Sequence, residues 1–181
     1  MGDGSGAAAA SETTTRELSQ AQIGLATSKL ISASIGAVCV VLSRSARHKH
    51  YSLADIEWMV LPAVFSGQFF VAEAANTETG HRAPVAVITW ARVSADVDQR
   101  LTERMGKPVR LRPDEWTCGD IHWLVDAVGD PRAIVGALKS LMEGPFKGID
   151  VKVATTDGQG APRVEMLRDL AAKAAFAGGA G

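Results

Sequence analysis

Residues 116–130 read WTCGDIHWLVDAVGD and concentrate reactive side chains. Two of the chain's four tryptophans, one of its four histidines and one of its two cysteines fall there, with three aspartates. Asp126 directly follows the apolar run Trp123-Leu124-Val125. An ionised carboxylate beside apolar surface needs a cation or hydrogen-bond donor as partner. An imidazole is the partner with the most chemistry to offer, because the anion fixes its tautomer and stabilises the imidazolium it becomes. Such a pair is a general base near neutral pH. The candidate imidazoles lie in SRSARHKHYS, residues 43–52, as His48 and His50. The plainer reading makes both histidines solvated members of a basic loop and Asp126 the end of a strand, since nothing local ties the two regions together.

Other chemistries find less support. His48, His50, Cys118, His122 and Asp126 carry metal-ligating atoms, but H-x-H with C-x3-H is not a common structural zinc spacing, so no metal is expected. Ser45 lacks the G-x-S-x-G frame of a nucleophile elbow. Cys118 stands near Asp120 rather than a cation that would lower its pKa. No phosphate-cradling loop, dinucleotide fingerprint or paired CxxC occurs. Arg92, Arg100, Arg104, Lys107, Arg110 and Arg112 form a basic series, read either as a solvated face or as a patch for an acidic partner.

These residues must be held by a scaffold. The spacing predicts a helix from Ser19 to about Ser43, with a core-facing stripe of Ile23, Leu30, Ile31, Ile35, Val38, Val41 and Leu42. That segment is long enough to span a bilayer, but Lys29, five hydroxyl side chains and the stripe favour a soluble helix and no membrane span. Ser52 caps a second helix, which Pro62 ends. QFFVAEA and PVAVITWARV pair as a hairpin across the turn NTETG. Ser94 caps a helix that stops at Gly106, and KPVRLRPDEW is extended or looped. CGDIHWLVDAV is a strand, and Asp130-Pro131 opens the helix PRAIVGALKSLM. GIDVKVATT is a last strand, GQGAP a break and VEMLRDLAAKAAF a terminal helix. The order α, α, β, β, α, β, α, β without repeats indicates an α/β sheet layered with helices.

With 181 residues, 46% of them hydrophobic, and a net charge of -1, the chain suits one soluble domain and offers no global field for nucleic acid. The expected organisation is a disordered tail over residues 1–17, a domain over 18–170 and a flexible tail over 171–181. The N-terminus lacks the basic-then-apolar pattern of an export signal, and Cys39 and Cys118 make no disulfide framework, so a cytoplasmic setting is expected.

Read in order, S-A-R-H-K-H-Y, L-P-A-V, P-V-A-V-I-T-W-A and D-E-W-T-C-G-D-I-H-W-L-V-D resemble the signature blocks of the RTX toxin-activating lysine acyltransferases, the hemolysin-activating proteins of RTX toxin operons. The resemblance spans roughly residues 43–153 and is carried chiefly by W-T-x-G-D-x-x-W-x-x-D together with L-P-A-[VI]. It implies a Gcn5-type N-acetyltransferase-like fold, acyl-carrier protein as acyl donor and no further cofactor. It also implies internal lysines of a protoxin as acceptors, and allows a homodimer. The family's catalytic histidine and aspartate fall on His48 and Asp126, with His48 as base or as a transiently acylated group. Arg92, Arg110 and Arg112 become candidates for docking an acidic carrier protein. The family block reads closer to S-P-L-H-R-N-W, and Met59 holds the place of an asparagine often found before L-P-A. The long Ala-rich N-terminus extends beyond the family pattern. Two alternatives stand beside this reading: a Gcn5-like acyl-CoA N-acyltransferase, which the missing phosphate loop disfavours, and a non-catalytic, chaperone-like partner of a secreted protein.

Overall fold

A computed structural model describes residues 20–105 and 110–178; the expected N-terminal tail, the helix stop at Gly106 and Lys107 lie outside the described residues. Helix α1 (Gln20–Arg44) leads into two short helices, α2 (Leu53–Met59) and α3 (Leu61–Phe65). The hairpin β1 (Phe69–Ala75) and β2 (Arg82–Val93) follows, then α4 (Ala95–Glu103) and the 3-10 turn Pro113–Thr117. The rest is β3 (Ile121–Gly129), α5 (Pro131–Glu143), the hairpin β4 (Val151–Thr156) and β5 (Pro162–Met166), and α6 (Leu167–Gly178). The five strands form one sheet in the order β1-β2-β3-β4-β5. Only β3 and β4 run parallel, joined by the α5 crossover. This is the expected α/β architecture in a single domain.

The sheet buries both faces. Ile88 and Trp90 of β2 meet Ala137 and Leu141 of α5 on one side. Odd-numbered β2 residues face the other, where Val87 joins Val38 and Val41 of α1 and Ala91 and Val93 join Trp116 and Trp123. That period-two division is what a strand covered on both sides requires. The caps read from the sequence form: Ser94 Oγ accepts from Val97 N, and Asp130 Oδ1 accepts from Arg132 N and Ala133 N at 2.9 and 3.0 Å.

Three expectations are corrected. Pro62 does not simply end a helix: α2 closes at Met59, and Pro62 sits in the first turn of α3, where a missing N–H costs no bond. VEM is not helical; residues 162–166 pair with β4 from Thr156↔Pro162 to Lys152↔Met166, and the helix begins only at Leu167. The α1 stripe is core-facing only in its C-terminal half. Val38 and Val41 are buried, whereas Ile23 and Leu30 remain 43% and 68% exposed. By length and composition α1 is also long and apolar enough to cross a membrane. The domain boundary expected at residue 170 falls inside α6.

Much of the 116–130 block serves this scaffold. Trp116 and Trp123 are core residues, and the Trp123 indole donates to Asp98 Oδ1 at 2.7 Å. Buried Glu115 accepts from the Arg100 guanidinium at 2.5 and 2.8 Å and from Arg112 N at 2.8 Å. The Arg100 hydrogen bonds hold its carboxyl below the usual glutamate range. Gly119 passes so close to β2 that a Cβ would lie 2.3 Å from the Val93 carbonyl oxygen. Gly119→Ala should therefore destabilise the fold by about 1–3 kcal/mol. Chemical denaturation measures this as a lower midpoint at unchanged slope, and an unshifted midpoint would mean that the connection into β3 yields freely.

Candidate active site

His48 sits on a tight turn that follows α1. The Ser45 carbonyl accepts from His48 N at 3.1 Å and from Lys49 N at 2.9 Å, and His48 O accepts from Tyr51 N at 2.9 Å. This curl turns the imidazole inward, leaving its side chain 2% exposed. The position depends on α1 being pinned to the sheet through Val38 and Val41, a few residues upstream.

Asp126 reaches the same place through an irregularity in β3. Thr89 pairs with Asp126 but Trp90 pairs with Leu124, so the register skips Val125. In a regular strand Trp123 and Asp126, three residues apart, would point to opposite faces. The bulge at Val125 removes that conflict. Trp123 and Val128 both pack on the face carrying α1, while Leu124 and Ala127 both pack toward α5. Asp126 is thereby delivered to the α1 face, where the turn carrying His48 lies. Beyond Leu124↔Val153 the parallel pairing of β3 with β4 ends, while β4 goes on pairing with β5. The sheet opens at the level of the bulge.

His48 Nε2 and Asp126 Oδ2 are 2.9 Å apart. The same carboxylate oxygen accepts from Arg47 Nη2 at 2.7 Å, and Oδ1 accepts from Ala127 N at 2.9 Å. Arg47 Nε also donates to His48 Nε2 at 3.2 Å. On the far side of the ring Ser45 Oγ lies 3.0 Å from Nδ1, and the Tyr51 ring meets the imidazole edge-on at 5.4 Å. Burial pushes the His48 pKa down, the Asp126 anion pulls it up and the Arg47 cation pushes it down; the net direction is below 6.5. His48 is therefore a free base at neutral pH.

The pair stands at a cavity of about 670 Å³, within the roughly 300–1,000 Å³ of small-molecule sites. Most of its wall is apolar or aromatic, including Trp58, Met59, Leu101, Leu111 and Trp123, with Arg47, Arg104 and Arg110 among its charged members. Met59 lends a thioether to the lining. Trp58 Nε1 donates to Asp55 Oδ1 at 3.0 Å, and the Arg110 guanidinium lies over the Trp58 ring at 4.5 Å.

Of the charged and titratable residues singled out in the sequence, His48, Asp126, Arg104 and Arg110 meet in this cavity. Arg112 is engaged by Glu115 at 3.1 Å and Asp114 at 3.5 Å. Arg92, paired with His122, projects from the opposite face of the sheet. His50 is exposed and outside the lining. Among the described residues no group of three or more His, Cys, Asp or Glu side chains is gathered for a metal. The contacts of Ser45 and Arg47 with the imidazole were not read from the sequence. Ser45, three residues before His48 on a helix-like turn, carried a positional signal, whereas adjacent Arg47 carried none.

The sheet thus opens beside a histidine–aspartate pair at a largely apolar cavity. The RTX toxin acyltransferase family matches residues 28–168, which contain the whole sheet and the site, and the chain belongs to that family. It is similar to the lysine-acyltransferase RtxC of Vibrio cholerae serotype O1, with 27% identity over 128 residues, covering 69% of this chain and 77% of the relative.

Because burial disfavours the imidazolium, protonating His48 opposes the fold. Its contribution to stability is full above pH 6.5 and declines as pH falls from there toward the depressed value. A proton NMR titration should place His48 below 6.5 in the wild type and lower still in Asp126→Asn, which removes the anion that raises it. A wild-type midpoint at or above 6.5 would contradict this electrostatic picture.

Proposed function

We propose that the protein transfers a fatty acyl group from acyl-carrier protein to the ε-amine of internal lysines in an RTX protoxin, activating it. The observation that carries this reading is the 2.9 Å His48–Asp126 contact at an apolar cavity, inside the region matched by an RTX toxin acyltransferase family. The name of the relative, a lysine-acyltransferase, supports lysine as the acceptor.

A lysine amine with pKa near 10.4 is neutral in only about one molecule in two thousand at pH 7. A positioned base that takes its proton during attack is worth about a hundred- to ten-thousand-fold. In this mechanism the amine nitrogen attacks the thioester carbonyl carbon while His48 accepts the amine proton. Asp126 stabilises the resulting imidazolium. Collapse of the tetrahedral intermediate forms the amide and breaks the C–S bond, and the His48 imidazolium returns its proton to the leaving thiolate, releasing the carrier thiol and restoring the base.

The apolar lining suits the acyl chain, and no other cofactor enters the scheme. Acidic carrier protein would dock at the cavity mouth through Arg110, which, like Arg104, lines the cavity and faces solvent. The free thiols Cys39 and Cys118 suit a reducing cytoplasm, where unsecreted protoxin and carrier protein would meet.

Co-expression with a candidate repeat-toxin substrate, followed by intact mass measurement, tests the activity. The wild type should add a fatty-acyl mass, and His48→Ala and Asp126→Ala should each abolish it. A substrate that binds yet keeps its mass with the wild-type protein would instead support the non-catalytic partner. Arg110→Glu should raise the KM for acyl-carrier protein several-fold and flatten its dependence on ionic strength. An unchanged KM would remove Arg110 from docking.

A further inference from the structure

Two contacts meet at His48 Nε2, and one neutral imidazole cannot satisfy both. Arg47 Nε donates to this nitrogen at 3.2 Å, which requires a lone pair there. Asp126 Oδ2, at 2.9 Å, calls for a proton on the same nitrogen. Arg47 reconciles the two, because its Nη2 donates to that Oδ2 at 2.7 Å. Its guanidinium thus spans base and carboxylate with two donors in a planar fork, a geometry lysine cannot reproduce. Nδ1, on the other side of the ring, can donate to Ser45 Oγ, 3.0 Å away.

We propose that Arg47 is a positioning residue of the site: it holds His48 as the Nδ1–H tautomer with the Nε2 lone pair capped, until the incoming amine displaces its Nε donor. This rests on His48 being the base of the proposed acyl transfer. The amine nitrogen then donates to Nε2 in place of Arg47. Once the proton has moved, the new Nε2–H faces Oδ2 across the existing 2.9 Å, so the ring need not turn. The Arg47 side chain is 68% exposed and lines the cavity, so it can swing aside where the buried ring cannot. Its cation also disfavours charge on an amine bound beside it, which helps keep the nucleophile neutral.

The groups facing His48 are Ser45, Arg47 and Tyr51 from its own turn and Asp126 from β3; Arg104 and Arg110 line the same cavity. Of the two partners at Nε2, Asp126 raises the proton affinity of His48 and Arg47 lowers it. Removing Arg47 leaves the anion unopposed, so the imidazole gains its proton more readily and moves that proton to Nε2.

The test is nitrogen-15 NMR of the histidine ring in the full-length protein, which reports the tautomer without any assay of activity. The wild type should show His48 as Nδ1–H above its pKa, and Arg47→Ala should show it as Nε2–H with a higher midpoint. Arg47→Lys should keep the midpoint nearer to wild type through its charge but lose the Nδ1–H tautomer with the fork. In turnover assays the acidic limb of kcat/KM should move to higher pH in Arg47→Ala, a shift a merely structural side chain would not cause. A wild-type Nε2–H tautomer, or an Arg47→Ala variant with unaltered tautomer and midpoint, overturns the proposal. If the tautomer switches as expected but no acyl transfer is found even in the wild type, the capping stands and the acyltransferase reading of the site fails.

Discussion

The carboxylate of Asp126 rests where a charge is costly, and the surroundings follow from how that cost is met. One oxygen takes the backbone N–H of Ala127, and the other takes Arg47 and faces His48. Both side-chain partners come from a single turn, so the site exists only if that turn is fixed against β3. The end of α1 does this. Val38 and Val41 pack with Val87 of β2 and Val128 of β3, and Val128 is two residues from the aspartate itself. A hydrophobic contact among valines thereby sets the distance between an imidazole and a carboxylate, because close-packed interiors transmit position with little slack.

The skipped residue Val125 does the complementary work. Without it Asp126 and Trp123 would be on opposite sides of the sheet, and either the tryptophan would leave the core or the carboxylate would face α5 among Leu124 and Ala127. The bulge falls where β3 and β4 cease to pair, so the irregularity that aims the charged group also accompanies the opening of the sheet. Bulges concentrate at such places because they bend a strand and re-aim one side chain at little loss of pairing. Val125, 37% exposed, is the residue displaced in the process.

Much of this was legible in the sequence, and the parts that were not share a cause. The two-sided burial of β2, the caps at Ser94 and Asp130 and the hairpin at Asn76–Gly80 are local signals, carried by residue type and period. His48 and Asp126 were legible through the signature blocks rather than through spacing, since 78 residues separate them. The failures were non-local. Residues 162–166 contain helix formers such as Glu165 and Met166, and only the partner strand, with the Asp157 carboxylate closing the turn at 2.9 and 2.8 Å, makes them extended. The Val125 bulge is likewise fixed by the register with β2 and has no signature of its own. Arg92 and Arg110 look equivalent as members of a basic series, and the sheet separates them because strand parity sends Arg92 to the α5 side.

The three side chains of the site are graded in freedom, and that grading suits a proton transfer. His48 is 2% exposed, Asp126 16% and Arg47 68%. In the proposed transfer, the two groups that would keep a fixed distance while a proton arrives are the two that packing holds still, so little ordering entropy would be lost when substrate binds. The group proposed to yield to the substrate, Arg47, is the one that solvent leaves free. Exchanging those positions, with a buried arginine and an exposed imidazole, would leave a cation in the core without enough acceptors and a base that wanders from its carboxylate. The observed order places desolvation on the histidine, the member that tolerates it by staying neutral, and leaves the permanent charge of arginine in water.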